Sequence, residues 1–339
     1  MDLDVIFLGT GGSVPSARRN TASVMVQRGG DRLMFDCGEG TQRQLQRSVG
    51  LVQVSDLFIT HLHADHYLGL PGLIKSYEMQ DRDEPLIIYG PPGLRELFAA
   101  VGRIIGRVNY PIDLEELEPG DPVTFDGYTV EAFEVSHRIR ANGYLLWEEE
   151  RPGRFDPERA RELGVSDGPD FGRLQRGESV AGSAGTVGPE QVMSAARPSR
   201  KVALTGDTEP CDGVRTAAQK VDLLVHDASF ASSEIERAAE TRHSTARQAA
   251  TIAAEAEAKM LALVHISGRH FVPDVLAEAR EVFEPTIAPR DFDLISIPFP
   301  ERGEPTHVEG GAKPGRREVA ERAVGGEIEA DQVSDSISP

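Results

Sequence analysis

Cysteine is nearly absent from this chain: Cys37 and Cys211 are the two in 339 residues. That excludes a disulfide framework as the organising principle, and the pair does not form a zinc-finger spacing. Lysine is scarce too. Five lysines (Lys75, Lys201, Lys220, Lys259, Lys313) stand among 36 basic residues, against 55 acids and a net charge of −19. No apolar run approaches the ~20 residues that cross a bilayer, so no membrane partner is expected. Asp2 and Asp4 sit where a secretory leader would be basic, which makes the cytoplasm the expected address. The length suits one large domain or two with a sizeable core.

Against these absences stands one dense feature. His61, His63, Asp65 and His66 fall within six residues, directly after the apolar run Leu57–Ile59. A strand ending there leaves nitrogen and oxygen donors on a loop, a set that suits zinc or another borderline divalent metal. The same grammar recurs at Val130–Val135 before His137, Val202–Thr205 before Asp207, and Met260–Val264 before His265. Donors at several strand ends imply a sheet with one active edge. Together they form two shells: His61, His63 and His137 in one, Asp65, His66 and His265 in the other, with Asp207 bridging. One carboxylate can hold two metals about 3.5–4 Å apart.

The chain reads as α/β. Strands are expected at Val5–Leu8, Ser23–Gln27, Arg32–Phe35, Leu57–Ile59 and Leu86–Tyr89. A second set is expected near Tyr128–Val135, Gly143–Trp147, Val202–Thr205, Leu223–Val225 and Leu261–Val264. Helices are expected at Gly40–Arg47, Leu94–Gly102 and, most clearly, Ser244–Ala258. Residues 148–196 are rich in Gly, Pro, Arg and Glu and read as structureless, which in a compact domain marks a functional or disordered segment. Residues 309–339 carry seven acids against four bases and read as disordered, or a frayed helix near Arg317–Ala323.

His-x-His-x-Asp-His with separated His, Asp and His at strand ends resembles the metallo-β-lactamase superfamily. Phe7–Pro15, Phe35–Gln42, Gly206–Thr208, Leu224–Phe230, His243–Thr245 and His265–Arg269 narrow the resemblance to the ribonuclease Z family. The segments run in the family's order over most of the chain. The resemblance implies a four-layer αβ/βα sandwich with an inserted flexible arm. It divides the chain into a catalytic domain over 1–307, with the tRNA-binding arm at about 148–196, and an acidic tail over 308–339. It also implies an endoribonuclease that removes the 3′ trailer from precursor tRNA, two Zn2+ per subunit (or Mn2+), and a homodimer.

Within that reading Asp65 orients or deprotonates the nucleophile, and His243, supported by Asp227, is the general acid. Products are a 3′-hydroxyl on the tRNA and a 5′-phosphate on the trailer. Substrate contacts are expected from Arg18, Arg19 and Asn20 near the 3′ end of the tRNA, from Arg173 and Arg176 in the arm, and from Arg269. Three residues depart from the family's pattern. Ala17 stands where a lysine is usual, and His270 where a tyrosine is usual. Asp227 replaces a glutamate, and one methylene less reach predicts a longer or water-bridged contact to His243. Two alternatives share parts of this pattern: a phosphodiesterase acting on small or other nucleic-acid substrates, which should lack the arm, and a non-catalytic RNA-binding subunit, which should have lost ligands. The acidity is awkward for an RNA-binding protein. Salt adaptation is one explanation that would account for it, because at about 1 M salt the Debye length is roughly 3 Å and distant acids scarcely repel RNA.

Overall fold

The computed structural model describes residues 2–312. Contacts divide them into a larger unit, reaching to Val123 and holding Val130–Leu146 and the chain from Lys201 onward, and a smaller one of Thr124–Thr129 and Trp147–Arg200.

The first sheet begins with β1 (Leu3–Gly9), β2 (Ser23–Arg28), β3 (Asp31–Phe35), β4 (Asp56–Phe58), β5 (Leu86–Gly90) and β6 (Ile112–Glu116). The second begins with β7 (Pro122–Phe125), β8 (Tyr128–Glu134) and β9 (Asn142–Glu148). A separate hairpin, β10 (Val180–Gly182) with β11 (Gly185–Val187), lies in the smaller unit. The chain returns to the second sheet with β12 (Lys201–Leu204), β13 (Leu223–Asp227), β14 (Met260–Val264) and β15 (Thr286–Ile287). It closes on the first with β16 (Leu294–Ser296) and β17 (Thr306–Val308). The spatial orders are β17-β16-β1-β2-β3-β4-β5-β6 and β15-β14-β13-β12-β9-β8-β7.

Two parallel blocks position the site. β3 to β6 run parallel in the first sheet and β12 to β15 in the second. Parallel strands are covered on both faces and so read as continuous apolar runs, and their C-terminal ends collect at one edge. Every residue of β13 is buried. Outside the first sheet, Leu45, Leu70, Leu73, Ile74, Leu94 and Ile105 from three helices pack on Ile6, Leu57 and Ile88. Outside the second, the helix Ala246–Glu255 buries Ala246, Ala249, Ala250 and Ala253, an i, i+3, i+4, i+7 stripe, against Leu224, Leu261 and Leu263. Between the sheets lie aromatic rings. Phe58 stacks on Phe35 and Tyr89 and meets Tyr144 edge-on at 5.2 Å, and Tyr144 Oη donates to Ile59 O across the gap at 2.8 Å. The architecture is the αβ/βα sandwich.

The sequence places these elements well and bounds them less well. The helix expected from Gly40 starts at Thr41, because Gly40 adopts φ 83°. The one expected over Ser244–Ala258 begins at Ala246, after a capping box: Thr245 accepts from Gln248 N, and the Gln248 side chain accepts from Thr245 N at 2.9 Å.

Residues 148–196 are not structureless. The smaller unit has helices Pro157–Glu162 and Pro169–Gln175, the hairpin, and a core of its own: Ala160, Val165, Leu174, Val180, Val187 and Val192, flanked by Phe155, Leu163, Phe171 and Met193. Short elements with one or two apolar residues each leave no periodicity to read, which is why composition misled. The two ends of its longer segment are joined where Glu148 accepts from two nitrogens of a buried Arg200 fork at 2.7 Å.

The C-terminal boundary also shifts. β17 runs to Val308, Gly310 N donates to Asp293 Oδ1 at 2.7 Å, and Ala312 N donates to Phe292 O, so 308–312 belong to the fold. The rest of the expected tail, with Arg317–Ala323, lies outside the described residues. No described helix is long and apolar enough to cross a membrane.

Candidate metal centre

All seven expected ligands converge where the parallel blocks end. Donors of His61, His63, His137 and Asp207 form one group within 4.8 Å of one another, and those of Asp65, His66 and His265 form a second. In the first, His61 Nε2 lies 3.0 Å from His63 Nδ1 and 3.6 Å from Asp207 Oδ2, and His137 Nε2 lies 3.3 Å from His63 Nδ1. In the second, Asp65 Oδ2 lies 3.2 Å from His265 Nε2 and 3.6 Å from His66 Nε2. Asp207 Oδ2 is 3.5 Å from both His66 Nε2 and His265 Nε2, so one oxygen faces both groups.

Local backbone explains the convergence. His265 follows β14 with φ 59°, which turns its ring off the strand, and its N–H donates to Thr10 O. Gly206, before Asp207, has φ 60°, and a Cβ there would lie 2.7 Å from Thr60 Cβ, so glycine lets β12 end against the His61 loop.

In four of the five imidazoles the other nitrogen is committed, which fixes which nitrogen faces the centre. His66 Nδ1 donates to Asp36 Oδ2 at 2.7 Å. The Thr60 hydroxyl donates to the same carboxylate and therefore accepts from His61 Nδ1, 3.0 Å away. His137 Nδ1 donates to Arg242 O at 2.9 Å. Ser229 Oγ donates to Asp227 Oδ1 at 2.7 Å and accepts from His265 Nδ1 at 2.8 Å. Asp36, Thr60 and Ser229 were not assigned roles from sequence. The one signal was position, since each lies within two residues of a strand's C-terminal end.

Donors about 2.1 Å from a tetrahedral ion stand about 3.4 Å apart, and the pairs given above are 3.0–3.6 Å apart. The buried His66 Nε2 and Asp207 Oδ1 make no hydrogen bond within the protein, as expected of atoms reserved for a cation. The residues fit divalent metal. Burial, joined by neighbouring rings, pushes His61 well below the usual imidazole range. Burial would also lower His66, but Asp36 and Asp207 outweigh it and raise that ring well above. Asp207 is pulled far down by His265, His66 and His61 in spite of burial.

A further pair borders the ligands. His243 Nδ1 donates to Asp227 Oδ2 at 2.7 Å, so the expectation of a longer or water-bridged contact is corrected. Backbone bonds hold the two loops together: Phe230 N donates to Ser244 O and Ala246 N to Phe230 O, beside the strand that carries Asp227. Burial alone would lower His243, but Asp227 outweighs it and the ring is pushed up to about 9.

The expected substrate contacts are disposed differently. Arg18 is exposed. Arg19 is an internal brace, donating to Thr10 Oγ1 at 2.6 Å and Pro289 O at 2.8 Å, and Asn20 N donates to Asp291. Arg173 is held by Asp170 and Glu178, Arg176 by Glu178, and Arg269 by Glu234. His270 also reaches Glu234, at 3.4 Å. Cys37 and Cys211 are both free thiols.

Residues 17–265 match the model of the metallo-beta-lactamase superfamily. A protein named Ribonuclease Z from Natronomonas pharaonis is 48% identical over 307 residues, 89% of this chain and 100% of that protein. One of the same name from Myxococcus xanthus is 45% identical over 88% of this chain and 99% of its own length. Among solved structures, human tRNase Z, short form, is 28% identical with a TM-score of 0.64, covering 87% of this chain and 99% of that one.

Proposed function

Because this chain belongs to the metallo-beta-lactamase superfamily and to the ribonuclease Z family within it, we propose that it is the endonuclease that trims the 3′ end of precursor tRNA, leaving a 3′-hydroxyl on the tRNA and a 5′-phosphate on the trailer. The observation that carries the chemistry is the pair of donor groups sharing Asp207 with His243–Asp227 at their border. His61, His63, His137 and Asp207 would hold one divalent ion, and Asp65, His66, His265 and Asp207 the other. Zinc is the ion that this mix of imidazole and carboxylate suits, with manganese the substitute. Bound there, such ions supply Lewis acidity and lower the pKa of coordinated water.

The chain's own residues do the rest. Asp65 Oδ2, at the inner face of the second group, orients the attacking water and accepts its proton. Its position is held by Ser13 N, 2.9 Å away. His243 donates a proton to the departing 3′ oxygen, and Asp227 keeps Nδ1 protonated so that Nε2 faces the substrate. Ser229 joins Asp227 to His265, so acid and ligands are held as one network. The smaller unit is proposed as the tRNA-binding arm, in a homodimer where each arm serves the other subunit; that part rests on the family resemblance. The test is incubation of end-labelled precursor tRNA with zinc or manganese in high salt and mapping of product ends. A cut elsewhere than at the trailer junction, or a 3′-phosphate, would overturn the reading.

A further inference from the structure

The arginines around the metal centre divide by what holds them. Arg269 is on Glu234, and Arg242 donates to His137 O at 3.1 Å with Glu209 3.9 Å from its Nε. Arg138 donates to an uncharged partner, the carbonyl of Glu240. The Arg140 guanidinium enters no hydrogen bond or ion pair among the described residues. Both Arg138 and Arg140 are exposed.

Their loop is three residues long and is pinned at both ends to the first ligand group. His137 itself supplies Nε2, with its ring and carbonyl both tied to Arg242. On the other side Ala141 forms a β-bridge with His61, and Asn142 N donates to Thr60 O at 2.8 Å. So short a span between two anchored points holds both arginines at the lip of the centre. The Ser13–Asn20 loop, by contrast, is joined through Ser13 to Asp65 of the second group.

We propose that Arg138 and Arg140 bind a backbone phosphate of the RNA strand next to the scissile one, beside the His61–His63–His137 group. This rests on the functional reading above and adds a binding site to it. In a protein of charge −19 the long-range field opposes RNA, so affinity must come from short, directional contacts close to the reacting phosphate. Guanidinium forks make such contacts, and anchoring both loop ends leaves little ordering entropy to lose on binding. The free charge on Arg140 and the neutral acceptor on Arg138 keep both forks available.

The experiment compares wild type with Arg140→Ala, Arg138→Ala/Arg140→Ala and Arg140→Lys. It measures the affinity for precursor tRNA by filter retention over a tenfold range of salt in which the fold persists. Metal content and hydrolysis of bis(p-nitrophenyl) phosphate are measured alongside. Each phosphate contact to a single strand adds about 0.7 to the slope of log affinity against log salt. Wild type should therefore gain about fivefold more than Arg140→Ala for each tenfold dilution of salt. The double variant should lose at least as much slope, and Arg140→Lys should retain it. Metal content and small-substrate turnover should stay unchanged in all three. An unchanged slope overturns the proposal. So does a loss of metal or small-substrate hydrolysis that matches the loss of affinity, because the loop would then merely support the ligands. If wild type binds precursor tRNA without cutting it, the functional reading fails, while the salt slope still decides the arginines.

Discussion

At the scale of single residues, Asp207 has the most distinctive position, with one carboxylate oxygen within 3.6 Å of His61, His66 and His265. Asp207→Ala should lose both precursor cleavage and bound metal. Undiminished metal by elemental analysis would sink the bridging role. His243 should behave differently. His243→Ala is expected to slow single-turnover cleavage by roughly 10²–10⁴, the usual range for a general acid, with metal content and tRNA affinity near wild type. An equal fall in affinity would make His243 a binding residue. The candidate ligands were legible because three histidines and an aspartate after an apolar strand have no packing use. Asp36 was not, since an aspartate after a strand is an ordinary turn residue and its contact with His66 spans thirty positions. The partners of the expected arginines were not legible, for another reason. Which exposed carboxylate captures Arg173 or Arg269 depends on side-chain geometry that sequence does not carry.

At the scale of elements, strand positions were readable wherever apolar runs met polar ends, and the elements missed were those without such contrast. β6 and β7 alternate partly and fully exposed residues, and β15 is two residues long. β16 and β17 had no expected counterpart, yet they are locked at Asp293, which accepts from His307 Nε2 at 2.9 Å, Arg290 N and Gly310 N. Burial would raise the Asp293 carboxyl, but these donors, His307 first, hold it below the usual range. A depressed carboxylate adds stability that is present above its unfolded pKa, about 3.9, and is lost as pH falls through the lower folded value. Asp293→Asn should therefore cost about 1–2 kcal/mol in neutral urea melts. The gap between variant and wild type should close as pH drops below the ordinary carboxylate range. A gap that stays constant with pH would mean that the carboxylate charge contributes nothing.

At the scale of the whole molecule, fold and superfamily were legible because the chemistry-bearing segments keep their order along the chain. The smaller unit was visible as an interruption, but its folded character was not. If that unit grips tRNA, replacing residues 148–196 with a short Gly-Ser linker should severely weaken precursor processing and leave hydrolysis of a small chromogenic phosphodiester nearly untouched. Equal loss of both activities would show that the segment supports the fold, and unchanged tRNA affinity would remove the arm assignment.

The six-residue core of the smaller unit has a thermodynamic consequence. So few small side chains bury little apolar surface, and the free energy holding that core closed is correspondingly modest. Two clusters in the main body each have more than twenty buried residues. Opening of the smaller core is then a sub-global event with its own equilibrium constant, and its amides exchange with solvent while those of β13 remain protected. Calorimetry should accordingly resolve more than one transition, and a single all-or-none transition would show that the smaller core opens only with the main body.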